Sequence, residues 1–239
     1  MGEVILLASG KGGVGKTTFT ANLGATLALR GARVVLMDLN MGLRNLDIYL
    51  GLENEVLFDV EDVISGVCNV RKALIRDHRF PELHLLSGAQ YKEVAGITPA
   101  HIKVLFNKLK ENFDIILVDG PVGVGDNLKM SASGVDRAIV VVTPDYSALR
   151  NGDMVDRKLQ DMGIDSRCYV VNMVKPELFG RNVVPDLGEM ADIFRTSMAG
   201  IVQYDENVNI ANNQGYPVVC KRDTYIARNF DMIGKRLFG

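Results

Sequence analysis

A glycine-rich stretch near the start of the chain has the composition and spacing of a phosphate-binding loop. It reads Gly10-Lys11-Gly12-Gly13-Val14-Gly15-Lys16-Thr17-Thr18. An apolar run at 4–8 precedes it, and the apolar spacing of residues 17–30 after it predicts a helix. Glycines let backbone N–H groups surround an anion, and the start of a helix adds partial positive charge. Lys16 suits the β- and γ-phosphates and the Thr17 hydroxyl suits Mg²⁺, so the stretch predicts binding of a nucleoside triphosphate.

Two aspartates follow apolar runs and are candidates for the magnesium and water chemistry of phosphoryl transfer. Asp38 closes the run at 33–37, and Asp119 closes the run at 115–118. An acid after a buried strand, combined with an upstream phosphate loop, is typical of the Walker B arrangement, in which Asp119 would bind a Mg²⁺ water or the Thr17 hydroxyl. A carboxylate at Asp38 could hold a Mg²⁺-bound or attacking water, although an acid there also suits a simple strand-end turn.

The elements that must position these residues alternate between strands and helices. Near-continuous apolar runs predict strands at 4–8, 33–38, 83–86, 115–118, 138–142, 169–171 and about 198–202, and helices are predicted at 17–30, 59–65, 99–112, 146–162, 186–196 and 224–238. Runs that are apolar on both faces indicate a parallel sheet covered on both sides. We therefore expect an α/β fold, a single doubly wound, mostly parallel sheet with helices on both faces, as in P-loop NTPases, forming one domain over residues 1–239. Ligands of such sheets bind at the carboxyl ends of the strands, where the loop and both aspartates fall.

The overall composition is ordinary for a soluble globular protein and excludes several classes of function. The chain carries 27 basic and 29 acidic residues, a formal net charge of −2. This balance argues against nucleic acid as a partner, because phosphate-backbone binding needs a concentrated basic surface. Three scattered cysteines, Cys68, Cys168 and Cys220, favour a reduced, cytoplasmic compartment. The histidines lack ligand spacing, so no metal other than Mg²⁺ is predicted.

Lys11 is the unusual feature of the loop, because a second lysine so near Lys16 cannot easily reach the same phosphate oxygens from the same side. The loop resembles the deviant Walker A motif of the MinD/ParA ATPase family. That resemblance implies a homodimer with ATP in which Lys11 of each chain contacts the ATP of the other; the alternative is a solvated loop charge. Residues 39–47, 50–54, 58–66 and 73–80 resemble the MinD branch, whose members position the division septum. The resemblance implies an ATP- and Mg²⁺-dependent ATPase with a protein partner of the MinC or MinE type.

Two segments depart from the pattern of that branch. Where its first switch segment reads D-x-D, the second acid is replaced by Asn40, and an amide cannot carry negative charge toward an attacking water. Residues 119–125 lack the serine and the glutamate of the family's D-S-P-A-G-I-E segment. We therefore expect slow hydrolysis. The alternative is a non-hydrolysing, nucleotide-gated scaffold of the same fold.

Candidate base-binding residues follow the later strands. The amide of Asn172 offers a donor and an acceptor to a purine edge. Guanine-reading loops of related proteins use an Asp at the second position after a Lys, and here that position after Lys175 is Glu177, so adenine is expected. By resemblance, the family's adenine-side loop comprises Gln203, Tyr204 and Asp205.

Two further segments resemble the family. Residues 143–150 resemble its T-P-E-x-S-x-x-R segment, which starts a helix near the dimer interface, although Asp145 and Ser147 could equally cap that helix. Residues 215–219 match its G-x-P-V turn and final strand.

The predicted site thus comprises three overlapping sets of residues. The catalytic set is Lys11, Lys16, Asp38 and Asn40. The nucleotide-binding set is Gly10, Lys11, Gly12, Gly13, Val14, Gly15, Lys16, Thr17, Thr18, Asn172, Gln203, Tyr204 and Asp205. The magnesium set is Thr17, Asp38 and Asp119.

The last helical segment bears on localisation. Ile226, Phe230, Ile233 and Leu237 fall on one helical face. MinD proteins typically carry a basic amphipathic membrane-targeting helix after a linker, whereas here the apolar stripe continues without a linker, which favours a core helix. We expect a cytoplasmic protein, with peripheral association at the inner face of the cell membrane as the alternative.

Overall fold

All strands belong to one sheet in the computed structural model, which describes residues 2–40, 44–89 and 96–239. The strands are β1 Glu3–Ser9, β2 Val34–Asp38, β3 Leu74–Arg76, β4 Leu83–Leu86, β5 Ile115–Val122, β6 Arg137–Val142, β7 Arg167–Val174 and β8 Ser197–Gln203. Their order is β3-β4-β2-β5-β1-β6-β7-β8. Neighbouring strands run parallel, except that β3 pairs antiparallel with β4.

Helices cover both faces of the sheet. They are α1 Lys16–Leu29, α2 Leu46–Tyr49, α3 Val60–Ile64, α4 Val70–Ala73, α5 Pro99–Lys110, α6 Asp126–Ser131, α7 Tyr146–Asp161, α8 Leu187–Ile193, α9 Glu206–Asn213 and α10 Tyr225–Phe238. Alternate residues of β1 enter two separate apolar clusters, Ile5 on one face and Leu6 on the other. Helices α1, α2, α9 and α10 complete the first cluster, and α3 to α8 complete the second. The predicted doubly wound α/β sheet is confirmed.

The seven predicted strands and six predicted helices are all present, with boundary shifts of a few residues. The short elements β3, α2, α4, α6 and α9 were not predicted, because each offers too few residues to show a period. The final strand expected within 215–219 is wrong. Val218–Cys220 form a 3-10 turn after Pro217, which has no N–H to donate to a sheet. Within the MinD-like stretch 39–47, residues 41–43 lie outside the described residues.

The sheet order brings the chemically interesting strand ends together. Strand β5 lies between β2 and β1, and Asp38 is directly in register with Asp119. The phosphate loop leaves the carboxyl end of β1 and enters α1 at Lys16. Parallel strands therefore deliver the loop and both aspartates to one edge of the sheet.

Helix α10 packs its apolar face against the sheet, as expected for a core helix. Ile226, Phe230 and Ile233 are buried. The end of the helix is also held, because Arg137 Nη1 donates to the Leu237 carbonyl at 2.7 Å. Across the described ranges, none of the helices combines the length and hydropathy needed to cross a membrane.

Candidate functional site

The loop backbone adopts conformations that require glycine. Gly13 and Gly15 both have φ of 79°, in the left-handed region that side chains disfavour. Gly15 is the N-cap of α1, and its carbonyl accepts the N–H of Phe19 at 2.8 Å. Gly10 abuts the backbone of Asn151, so a Cβ there would overlap that backbone. The loop therefore turns tightly into the positive end of α1.

A buried cluster of charged and hydroxyl groups lies where the loop meets β5. Lys16 Nζ lies 2.6 Å from Asp119 Oδ1, and Thr17 Oγ1 donates to Asp119 Oδ2 at 2.6 Å. Thr20 Oγ1 lies 3.2 Å from Asp119 Oδ1. The Lys16 and Asp119 side chains are 5% and 1% exposed. Such deep burial demands a full set of partners, because an unpaired buried charge is very costly.

Asp38 lies beside Asp119 and is surrounded by backbone donors. The N–H groups of Asn40, Asn45 and Leu46 donate to its carboxylate at 2.9, 3.2 and 3.2 Å. Burial and the charge of Asp119 raise the pKa of Asp38 to about 6, and these hydrogen bonds oppose the rise. Two adjacent carboxylates of this kind are suited to share a divalent cation.

Lys11 does not contact that cluster. Its Nζ lies 3.1 Å from Asp145 Oδ1 and 2.9 Å from Ser147 Oγ, both in its own chain. Asp145 also accepts the hydroxyl of Thr143 and the N–H of Ala148, and thereby caps α7. Burial alone would raise the pKa of Asp145, but the hydrogen bonds from Thr143, Ser147 and Ala148 hold it below its ordinary value. Lys11 and Asp145 are 44% and 42% exposed, so Lys11 can leave this contact at little cost.

The predicted base-side residues line one cavity of about 140 Å³ beside the first turn of α1. Its walls include Thr18, Asn172, Gln203, Tyr204 and Asp205. Lys175 Nζ lies 4.4 Å from the centre of the Tyr204 ring, and Asp205 caps α9 through the Asn207 N–H. The cavity has the mixed apolar and polar lining expected of a site for a small planar group.

The structure thus brings most of the predicted polar residues into two adjoining groups. Lys16, Thr17, Asp38 and Asp119 form the charged group, and Thr18 with Asn172 and residues 203–205 form the cavity group. Asn40 joins the charged group through its backbone N–H. The Lys11 ammonium pairs instead with Asp145 and Ser147, and the other predicted residues, Gly10 and 12–15, form the turn into α1.

Sequence reasoning missed two contributors to the site. Thr20 reaches Asp119, and its position one helical turn after Lys16 was an available signal. Asn212 Nδ2 donates to Thr18 Oγ1 at 2.9 Å, across 194 positions of sequence, and nothing local to Asn212 could have indicated that contact.

The sequence of the chain is similar to those of known proteins. Residues 5–218 match the family described as the CobQ/CobB/MinD/ParA nucleotide binding domain. The chain is 39% identical over 241 residues to the septum site-determining protein MinD of Bacillus subtilis (strain 168), covering 100% of this chain and 90% of that protein.

Solved structures give the same picture. The chain resembles a chain of the MinC:MinD cell division protein complex of Aquifex aeolicus, with a TM-score of 0.93 and 35% identity over 99% of this chain and 96% of that one. It also resembles the septum site-determining protein MinD complexed with Mg-ADP from Pyrococcus horikoshii OT3, with a TM-score of 0.89 and 26% identity, covering 100% and 96% of the two chains.

Proposed function

The chain belongs to the CobQ/CobB/MinD/ParA nucleotide-binding family, and within it to the MinD proteins, and from that premise we propose how its residues bind and hydrolyse ATP with Mg²⁺. It is a MinD-like ATPase that acts in division-site placement. Residues 1–239 are proposed to work as one nucleotide-dependent domain.

The buried Lys16–Thr17–Asp119 cluster is the observation that carries the proposal. A lysine ammonium is strongly hydrated, and here it lies 5% exposed with its charge balanced by Asp119. A triphosphate bound in the loop would give Lys16 a more negatively charged partner and would free the Asp119 carboxylate from its ion pair with Lys16. The cluster is therefore suited to replacing the carboxylate partner of Lys16 with a phosphate.

The oxygen donors next to Lys16 suit magnesium. Thr17 Oγ1 and the carboxylates of Asp38 and Asp119 are hard oxygen ligands, and the two aspartates lie in register on neighbouring strands. We assign these three residues to hold Mg²⁺ directly or through water. When bound, the ion would neutralise charge that develops on the phosphates during transfer.

The attacking water is assigned to the segment after β2. Asp38 offers its carboxylate, and Asn40 can orient a water as a neutral acceptor but cannot attract its proton as a carboxylate would. Slow basal hydrolysis follows from that substitution.

The 140 Å³ cavity is assigned to the adenine base. Its walls come from the ends of β7 and β8, the first turns of α1 and α9, and α10. A triphosphate held by the loop at the start of α1 would leave its base on this side. Gln203, Tyr204 and Asp205 are the residues proposed to contact the nucleoside, and Asn172 forms the part of the cavity wall next to the phosphate loop.

A homodimer and a protein partner complete the proposal. Within the described part of the chain, the hydrogen bonds of the Lys11 ammonium are exposed and lie in its own chain, so ATP on a second chain could attract it across an interface. A related MinD forms a MinC:MinD complex, and a partner of the MinC or MinE type is proposed here for the ATP-bound dimer. We propose a cytoplasmic location for this chain.

Equilibrium binding tests the nucleotide site. Lys16→Ala should weaken ATP·Mg²⁺ binding by about tenfold or more, because a hydrogen bond to a charged group is lost. Lys129→Ala is the matched control, since Lys129 is exposed and pairs with Asp126 on the surface. Equal ATP affinity for the parent and Lys16→Ala would contradict the proposed site.

One observation favours a second candidate. Asn40 stands where the family's first switch carries an acid, and this favours a chain that binds ATP and dimerises without turnover. Release of phosphate from bound ATP distinguishes the two candidates.

A further inference from the structure

We propose that Asn172 is a positioning residue for the phosphate loop, which holds the Val14–Gly15 peptide in the orientation that binds phosphate. This role differs from contact with the base and rests on the proposed function, since it concerns the same nucleotide site. The residue links the strand end of β7 to a loop 158 positions earlier in the chain.

The hydrogen bond joins two buried groups. Asn172 Nδ2 donates to the Val14 carbonyl at 2.9 Å, and the Asn172 and Val14 residues are 7% and 3% exposed. Water has little access to replace the amide if it is removed. A buried carbonyl that loses its partner carries the full cost of its desolvation, which favours rotation of the peptide toward another donor.

Because the peptide group is planar, this hydrogen bond sets the orientation of the Val14–Gly15 peptide in the loop. The described chain has no cis peptides, and in a planar trans peptide the C=O and the N–H point in opposite directions. While Asn172 holds the Val14 carbonyl, the Gly15 N–H of the same peptide must point away from Asn172. Rotation of the Val14–Gly15 peptide would replace the Gly15 N–H with the Val14 carbonyl on the side of the loop that faces away from Asn172. A carbonyl there would repel an anion.

A bulge in β7 delivers the amide to this position. Val171 pairs with Ile201 and Val174 with Gln203, so β7 contains one more residue than β8 in this interval. Within the bulge, Met173 has φ of +57°, an unfavourable conformation for a residue with a side chain. Bulges re-aim side chains beside functional sites, and this one turns Asn172 toward the loop.

The fit between the bulge and the loop is tight on the loop side as well. Gly15 has φ of 79°, and a Cβ at that position would overlap Asn172 Nδ2 and press on Met173 Cε. The loop can therefore approach the bulge this closely only with glycine at position 15. The unfavourable conformation of Met173 and the close approach of Gly15 meet at one hydrogen bond, which supports a specific purpose for this contact.

A ligand without a base separates the two possible roles of Asn172. Binding of inorganic tripolyphosphate and of ATP, each with Mg²⁺, should be measured by calorimetry for the parent and for Asn172→Ala. If Asn172 acts through the loop, the variant should lose about tenfold in affinity for both ligands by the same factor. Asn172→Ser, whose hydroxyl is one bond too short to replace the amide, should behave in the same way and guards against a folding failure of the alanine variant.

Val171→Ala is the matched structural control. Val171 is fully buried in the same strand and carries no polar group, so its truncation should lower the melting temperature without changing tripolyphosphate affinity. The inference is overturned if Asn172→Ala weakens the binding of ATP but not of tripolyphosphate, because the amide would then contact the base rather than position the loop. It is also overturned if Val171→Ala loses as much tripolyphosphate affinity as Asn172→Ala. Failure of the parent to bind ATP at all would instead overturn the proposed function.

Discussion

Replacing Lys11 with alanine should prevent ATP-driven dimerisation while leaving nucleotide binding within one chain largely intact. Lys11 lies outside the Lys16–Thr17–Asp119 cluster, and within the described residues its ammonium group hydrogen-bonds to Asp145 and Ser147 of its own chain. Its removal therefore leaves the local phosphate site unchanged. The lost interaction is the one proposed across the dimer interface.

The size of the effect follows from the two environments of the lysine. In the monomer, Lys11 and Asp145 are both more than 40% exposed, and such pairs contribute about 0–1 kcal/mol. Across a desolvated interface, a hydrogen bond to a phosphate contributes about 1.5–3 kcal/mol, and a symmetric dimer contains two. The net loss is about 3 kcal/mol per dimer, which weakens dimerisation roughly 100-fold.

Light scattering across a concentration series with ATP and Mg²⁺ measures this shift. The parent should move from monomer to dimer, and Lys11→Ala should remain monomeric. Ser147→Ala is the matched control, because it removes an in-chain partner of Lys11 but keeps the lysine, and it should dimerise at least as tightly as the parent. A Lys11→Ala chain that dimerises like the parent would refute the cross-interface role.

Three further predictions concern hydrolysis, pH and lipid. Asn40→Asp should raise the steady-state rate of phosphate release, because it restores a charged acceptor for the attacking water; equal rates would show that the amide suffices. Without ligands, the free energy of unfolding should fall as pH rises from about 4 to 6. The pKa of Asp38 is about 6 in the folded protein and lower in the unfolded chain, so over this window the folded state binds the proton that the unfolded state has lost. Relative to Asp38→Asn, the parent should lose stability over that window in urea denaturation, and a pH-independent difference would contradict the raised pKa of Asp38 that burial and the charge of Asp119 cause. The 239-residue chain should bind anionic liposomes weakly even with ATP, because α10 buries its apolar face; flotation that Phe238→Glu abolishes would contradict this.

The sequence predicted the long elements and the charged group well, for physical reasons. The glycine spacing before Lys16 is a local pattern that the backbone of the loop requires, and the acids Asp38 and Asp119 directly follow the apolar runs of β2 and β5. Parallel strands then bring these separate patterns to one edge of the sheet. Short elements escaped prediction, since β3 has three residues and pairs antiparallel at the edge.

Other features depended on contacts that no local pattern encodes. The partners of Lys11 lie 134 and 136 positions away, and no local pattern favours them over solvent. Asn172 was predicted from the versatility of its amide, but its contact with Val14 depends on a bulge defined by the pairing of β7 with β8. The strand expected at 215–219 does not form, because its apolar residues pack into the core from a 3-10 turn.

Steady-state phosphate release from ATP, measured with and without anionic lipid and a MinC- or MinE-type partner, tests most directly whether these residues form an ATPase site. We predict slow, Mg²⁺-dependent release that Lys16→Ala abolishes and that Lys129→Ala leaves unchanged. Phosphate release that persists in Lys16→Ala, or tight ATP binding with no release under any of these conditions, would contradict the assignment of these residues to an ATPase site.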